Sequence, residues 1–338
     1  MKKTHFICIS LLLCCLLSAQ GEAAYTIKRG RLVNTEELAT LSPEQHYHIG
    51  MNALEHCDWR EASTQFRILA LNFPNNPLGQ DAQYYLGVAY YNLGDYDFAN
   101  EAFSEYLKCH PDPELFEDAL AYKFEIANQF RCGAKARFFG WKQMPRWASG
   151  DPLAMEIYDE VIAAMPCHEM AARALFEKAQ YLSEHYEYDE SVVIYQQLIR
   201  RFPKHEYIPQ CYVAISKIYL MKSKLDIQNP DIYAFAQINL RRFKTDFPRE
   251  EFVCEVENDL AEMKEFYADN LFQTGLFYER VCQFGASIIY YQNAIDQFPD
   301  TQVAMRCRSR VNWISTLCEP SAAALLGEAV ILDDNECS

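Results

Sequence analysis

The sequence is short of glycine, with 12 in 338 residues. It contains no glycine-rich phosphate loop, no Gly-x-Ser-x-Gly elbow and no His-Glu-x-x-His pair. Those gaps remove the local signatures of nucleotide-binding, α/β-hydrolase and zinc-protease chemistry. Cysteine is plentiful, at 13, but never occurs as Cys-x-x-Cys, which argues against a thiol redox enzyme or a structural zinc site. His46-Tyr47-His48 has the wrong spacing for one helix face, and the acid pairs Glu36-Glu37 and Asp333-Asp334 read as solvated charge. No cofactor, metal or catalytic residue is therefore expected. Positive charge is also scarce: 31 Lys and Arg against 47 Asp and Glu give a net charge of −16. Such a chain does not bind nucleic acid through its overall field, and an anionic membrane surface repels it.

Long apolar runs are lacking too. The one clear run, Phe6 to Leu17, follows Lys2 and Lys3 and is too short to span a bilayer. With Gly21-Glu22-Ala23 after it, the segment 1–23 reads as an export signal. Two readings of its cysteines stay open: Cys14 or Cys15 accepts a lipid anchor, or both are apolar residues of a signal helix. Ten cysteines remain beyond the signal region. Their even number in an exported chain points to disulfides, whereas their spread of roughly one per helix points to small core residues. Cys337, in a polar tail, is a candidate for an intermolecular bond.

What is abundant is aromatic: 22 Tyr and 21 Phe. The dipeptide Phe-Pro recurs at Phe73-Pro74, Phe202-Pro203, Phe247-Pro248 and Phe298-Pro299, with His110-Pro111 and Met165-Pro166 in the same place. Counting back from each proline gives one pattern. It reads Gly50, Ala53, Ala62, Phe66, Leu69, Pro74, then Gly87, Tyr90, Ala99, Phe103, Tyr106, Pro111. It returns as Ala179, Leu182, Ser191, Tyr195, Leu198, Pro203 and as Gly275, Tyr278, Ser287, Tyr291, Ala294, Pro299. Two partial copies keep the second half, Ala154, Tyr158, Val161, Pro166 and Ala236, Leu240, Phe243, Pro248. Small residues let paired helices approach, a large residue fills the gap, and proline ends the second helix because it lacks an N–H. These offsets are those of the tetratricopeptide repeat. The expected fold is all-α: a tetratricopeptide-repeat solenoid of about six helix–turn–helix units over 43–318, with a C-terminal capping helix. Residues 24–42 and 319–338 are expected to be flexible ends.

Departures from the period mark inserts. The 55-residue step from Pro111 to Pro166 carries a basic, aromatic insert at 131–150. A smaller excess lies near Lys222 to Pro230. The 51-residue step from Pro248 to Pro299 predicts a long helix from about Glu251 to Cys282, followed by the capping helix from Thr301 to Leu317.

Stacked repeats line a concave face with their first helices. There the pattern places Tyr47, Met51 and Leu54, then Tyr84, Val88, Tyr91 and Asn92, a set suited to an extended peptide or a partner helix; packing between helices is the other reading of Tyr84 and Val88. The insert likewise has two readings. It is an Ω-like loop closed on its own aromatics, or a docking loop with Phe138, Phe139, Trp141 and Trp147 as anchors and Lys135, Arg137, Lys142 and Arg146 around them.

Three stretches together resemble a known family. They are His46-Tyr47…Asp58-Trp59-Arg60-Glu61-Ala62…Phe73-Pro74, the insert Phe138-Phe139-Gly140 followed by Asp151-Pro152, and the closing Phe277-Tyr278-Glu279-Arg280…Phe298-Pro299-Asp300-Thr301-Gln302. The likeness, over about 44–315, is to the BamD (YfiO-like) family of outer-membrane protein assembly lipoproteins. It implies a non-catalytic, exported scaffold at the periplasmic face of the outer membrane. Its implied partners are a BamA-like insertase and unfolded β-barrel clients, the latter bound through the N-terminal repeats. The chain departs from the family by at least one extra repeat, around Cys167 to Pro248, and by a poor lipidation site. A periplasmic adaptor coordinating cell-envelope or cell-wall enzymes is the alternative within the binding class; a cysteine-based redox enzyme is the alternative outside it.

Overall fold

The computed structural model describes residues 25–28, 31–34, 38–109, 114–137, 145–226 and 229–331, with side chains described over 38–109, 114–137, 145–226 and 229–316. The leader with Cys14 and Cys15, the insert residues Phe138, Phe139, Trp141 and Lys142, and Cys337 lie outside the described residues.

The chain divides into two compact bodies, 1–166 and 167–338. The first holds three helix pairs: α1 (Pro43–Glu55) with α2 (Trp59–Asn72), α3 (Pro77–Asn92) with α4 (Tyr96–Cys109), and α5 (Phe116–Arg131) with α6 (Asp151–Ala164). It also holds two short antiparallel hairpins, β1 (Tyr25–Lys28) with β2 (Arg31–Asn34), and β3 (Lys135–Arg137) with β4 (Arg146–Ser149). The second body holds α7 (Glu169–Glu184) with α8 (Tyr188–Arg201), α9 (Ile208–Leu225) with α10 (Pro230–Asp246), and α11 (Val253–Arg280) with α12 (Phe284–Gln297), closed by α13 (Gln302–Ile331). Among the described residues this is the expected set of six pairs and a cap, arranged as tetratricopeptide repeats. The long helix falls where the 51-residue step predicts it. Three expectations need correction. The segment 24–42 is not simply loose, because it carries β1 and β2. The capping helix does not stop at Leu317 but continues to Ile331. The described ends of the insert, 135–137 and 146–149, are not irregular but pair as antiparallel strands.

Helix starts are written locally. Ser42 and Gln45 form a capping box on α1, ahead of Pro43. Asn76 and Asn229 cap α3 and α10, each followed by proline at the first helical position. Thr301 accepts a hydrogen bond from the Ala304 amide at 3.1 Å, and the Glu265 carboxylate, reaching from α11, takes the Gln302 amide at 2.6 Å. The closing Pro-Asp-Thr motif is thus the start of α13. Helix ends follow the Phe-Pro ladder. Phe73, Phe202, Phe247 and Phe298 leave the helix with φ between −128° and −135°, as Met165 does at −130°. Each still donates its N–H to the carbonyl four residues back. The following proline forbids helical geometry at the residue before it, so the ladder stops five helices in the same way.

The register positions form the core. Ala62, Phe66, Leu69, Ala99, Phe103, Ala154, Tyr158, Val161, Ala179, Leu198, Phe243, Tyr291 and Ala294 are all fully buried. A methyl group on Gly50, Gly87 or Gly275 would meet the ring of Phe66, Phe103 or Tyr291 at 2.5–2.8 Å. The paired helices therefore touch backbone to ring. The same rings reach onward to the next repeat: Phe66 stacks on Tyr85 at 5.4 Å and Phe103 on Tyr122 at 5.1 Å. Tyr212 and Phe243 stack at 4.8 Å in the second body.

Seven residues after each of Gly50, Gly87, Ala179 and Gly275 the turn needs a left-handed residue. Gly94 supplies it at φ +71°, but Cys57, Tyr186 and Cys282 are forced into the same region at +58°, +64° and +60°. This accounts for part of the cysteine pattern and corrects the core reading. Of the eight described cysteines, Cys57, Cys109, Cys132, Cys167, Cys254 and Cys282 are exposed; Cys211 and Cys307 are buried. Burial pushes the Cys307 thiol up to about 11.

Candidate functional site

Tyr47, expected on the open face, is half-buried and set edge-on to Phe66 and Tyr85 at 6.1 and 6.0 Å. Tyr84 is the clear correction. At 9% exposure it is core, surrounded by Tyr85, Phe103, Tyr106 and Tyr122 at 5.3–6.3 Å. Burial, reinforced by the charges around Tyr122 and Asp118, pushes its phenol up to about 12. Tyr91 is half-buried between Tyr96 and Tyr122, and burial raises its phenol as well. These rings are the material that joins one repeat to the next. The spacing marks them correctly as large and aromatic. It cannot say on which side of a first helix the next repeat sits, and that decides whether a ring faces solvent or a neighbour.

Besides the half-buried Tyr47 and Tyr91, four further members of the set keep solvent access. Met51, Leu54 and Val88 are half-buried and Asn92 is exposed. The Asn92 side-chain amide donates to the Val88 carbonyl, one turn back, at 2.8 Å. His46 is not a candidate ligand. It is buried, with Nδ1 2.6 Å from Gln65 Oε1 and Nε2 accepting the Leu41 amide at 3.3 Å, and it pins α1 to α2.

The insert gives a second surface. In its hairpin Lys135 pairs with Ser149, Ala136 with Ala148 and Arg137 with Arg146. Trp147 is skipped by that pairing, a one-residue bulge, and is 74% exposed. Lys135 is exposed as well. Arg137, expected to face a partner, is turned inward instead, and Arg146 stays exposed at 40% while tied to the same turn. Arg137 pairs with Asp97 at 2.6 Å and with Asp95, lies 4.5 Å over the Phe98 ring, and its backbone amide donates to Asp97 at 3.2 Å. Arg146 donates to the Gly94 carbonyl at 2.8 Å and pairs with Asp95. The α3–α4 turn is acidic, so it takes up the arginines that sequence alone leaves free.

One buried group carries no sequence signal. Lys123 is 1% exposed, yet its ammonium donates to Asn100 at 2.8 Å, Ser104 at 2.6 Å and Glu160 at 2.6 Å. Three donors meet three acceptors from α4 and α6, so the ion is fully satisfied. Burial lowers its pKa and Glu160 opposes that shift.

Among the described residues no helix is long and apolar enough to cross a membrane.

Residues 39–122 match the YfiO family, described as an outer membrane lipoprotein. Residues 173–205 match a tetratricopeptide-repeat family. No curated protein matches the chain. Solved structures with some likeness include a tetratricopeptide-repeat protein from Bacteroides fragilis, at 14% identity over 81% of this chain and 100% of that one, TM-score 0.40. Another, from Parabacteroides merdae, shows 11% identity over 81% and 98%, TM-score 0.34. The MamA protein shows 15% identity over 62% and 95%, TM-score 0.35. Helix pairs with one shared register and a tetratricopeptide match on a later repeat make this a tetratricopeptide-repeat protein whose first repeats, over 39–122, are similar to the YfiO (BamD) family of outer membrane lipoproteins.

Proposed function

We propose that this chain is a non-catalytic scaffold of the outer-membrane β-barrel assembly machinery. In this reading it works at the periplasmic face of the outer membrane, after export on the signal 1–23. Its repeats, over 43–318, bind a BamA-like insertase and unfolded outer-membrane protein clients. The observation that carries the reading is the match of 39–122 to an outer-membrane lipoprotein family, lying on the repeats assigned to client binding. Met51, Leu54, Val88 and Asn92 are the client-facing residues, backed by the rings of Tyr47 and Tyr91. Apolar side chains of partial exposure beside one exposed amide suit an extended chain of alternating character. The hairpin, with Trp147 and Lys135 outward, is the docking element for the insertase.

Affinity capture with the full chain from detergent-solubilised membranes tests this. Recovery of an outer-membrane barrel protein with periplasmic domains supports it. Recovery of cell-wall enzymes alone overturns it in favour of the adaptor reading. The mass of the mature N-terminus decides between a lipid on Cys14 or Cys15 and a free exported form.

A further inference from the structure

Within the second body, α9 and α11 are the first helices of consecutive repeats, so the seam between them sets one repeat against the next. Three carboxylates of α11, Glu255, Asp259 and Glu262, stand at i, i+4 and i+7 and form one stripe of that helix, turned toward α9. The outer two have cations from α9. Lys217 pairs with Glu255 at 2.6 Å and Lys224 with Glu262 at 2.6 Å. The middle carboxylate is met by a hydroxyl instead. Half-buried Asp259 accepts from buried Ser216, and its Oδ2 is enclosed with no hydrogen-bond partner among the described residues. The stripe is therefore one cation short, and the shortfall lies at its most enclosed member. Burial raises the Asp259 pKa; Ser216 and Lys217 oppose the shift, and the charges of Glu255 and Glu262 add to it. The other helices packed on α11 bring no relief. Lys244 of α10 is held by Glu257 at 2.5 Å. On α13, Arg306 reaches Asp269 at 3.6 Å and Arg310 pairs with Glu279, both on the far half of α11. The one charge of α12, Asp296, accepts from Gln292 of its own helix at 2.9 Å.

We propose that Asp259 makes the α9–α11 seam a proton-sensitive joint: protonated, it holds the last two repeats together, and ionised, it leaves them easier to part. A proton removes the uncompensated charge and gives the enclosed carboxyl a donor of its own. The folded chain binds that proton more tightly than the unfolded chain does. The stability it contributes is therefore complete below the ordinary value of 3.8 and is lost as the pH rises through the higher folded value. The flanking ion pairs respond in the opposite sense, because acid discharges Glu255 and Glu262. The response of the joint is thus read against a variant that cannot titrate at position 259.

Hydrogen–deuterium exchange on the full chain tests it, with the unaltered protein and Asp259→Asn compared at each pH. Asparagine keeps the shape and removes the charge. At pH 7 the amides of 208–225 and 253–264 should exchange more slowly in Asp259→Asn by roughly fivefold or more, the scale of relieving one buried unpaired polar group. Exchange in the first body should not change. The gap should close as the pH falls toward 4. Equal or faster exchange in the variant at pH 7, or a gap that ignores pH, overturns the joint. Should Asp259→Asn not fold, titration of the Asp259 carboxyl carbon by NMR in the unaltered chain decides the matter. A midpoint above 3.8 upholds the proposal, and one at or below 3.8 overturns it.

Discussion

Gly87 lies against the ring of Phe103, its missing side chain matched to the ring sixteen residues later. A methyl group there would stand 2.8 Å from the ring. Gly50 and Phe66 repeat the arrangement, as do Gly275 and Tyr291. Gly87→Ala should therefore destabilise the protein by about 1–3 kcal/mol through overpacking. Combined with Phe103→Leu the cost should fall below the sum of the two single changes, since both act on one contact. Denaturant titration of the four proteins measures it, and strict additivity would show that the two residues do not meet.

The turns at Cys57, Tyr186 and Cys282 hold side chains in a region that favours glycine. Replacing each with Gly, as at Gly94, should stabilise by about 1 kcal/mol per site. Thermal unfolding is the readout. Lower melting temperatures would mean that the side chains contribute more than the backbone strain costs.

Tyr84 on one side and Met51 and Asn92 on the other separate packing from binding. Tyr84→Ala should cost about 3–5 kcal/mol, because it empties a ring site in the core. Met51→Ser and Asn92→Ala should leave stability within about 1 kcal/mol and weaken capture of an unfolded β-barrel client. Equal losses of client binding and folding at Asn92 would remove it from the binding surface.

Alkali should attack the same ring cluster. The Tyr84 phenol has its pKa raised from 10.0 to about 12 in the folded chain, so the fold favours the protonated form. The associated stability is complete below pH 10 and is lost as pH rises toward 12. Helix content followed by circular dichroism should fall over that interval. Tyr84→Phe should make stability less steep in pH there; an unchanged slope would place Tyr84 in water.

Lys123 is held by Asn100, Ser104 and Glu160. Lys123→Ala leaves a cavity and unpaired acceptors and should cost about 3–5 kcal/mol. Lys123→Met fills the space and should cost clearly less. Equal costs would mean that the ion, rather than its volume, holds α4 and α6 on α5.

Most of the fold was legible because its signals are local. Proline and the residue before it end helices through sterics confined to neighbouring atoms, and Ser42, Asn76 and Asn229 cap helices through bonds two or three residues long. The small–large spacing from Gly87 to Phe103 needs only the geometry of one helix pair. The insert was legible as an exception to the period, but its form was not. Arg137 and Arg146 read as free cations until the chain brings Asp95 and Asp97 to them from forty or more residues away. Tyr84 had two readings, groove or packing, until Phe103 and Tyr122 closed around it, and nothing in the spacing marks Lys123 as buried before three acceptors meet its ammonium. The sequence by itself determined the helix pairs, the proline-marked stops and the register in which they pair. Only the tertiary structure decided which of the regularly spaced rings are core and which charges are already satisfied, because burial and charge pairing depend on neighbours that spacing along the chain does not specify.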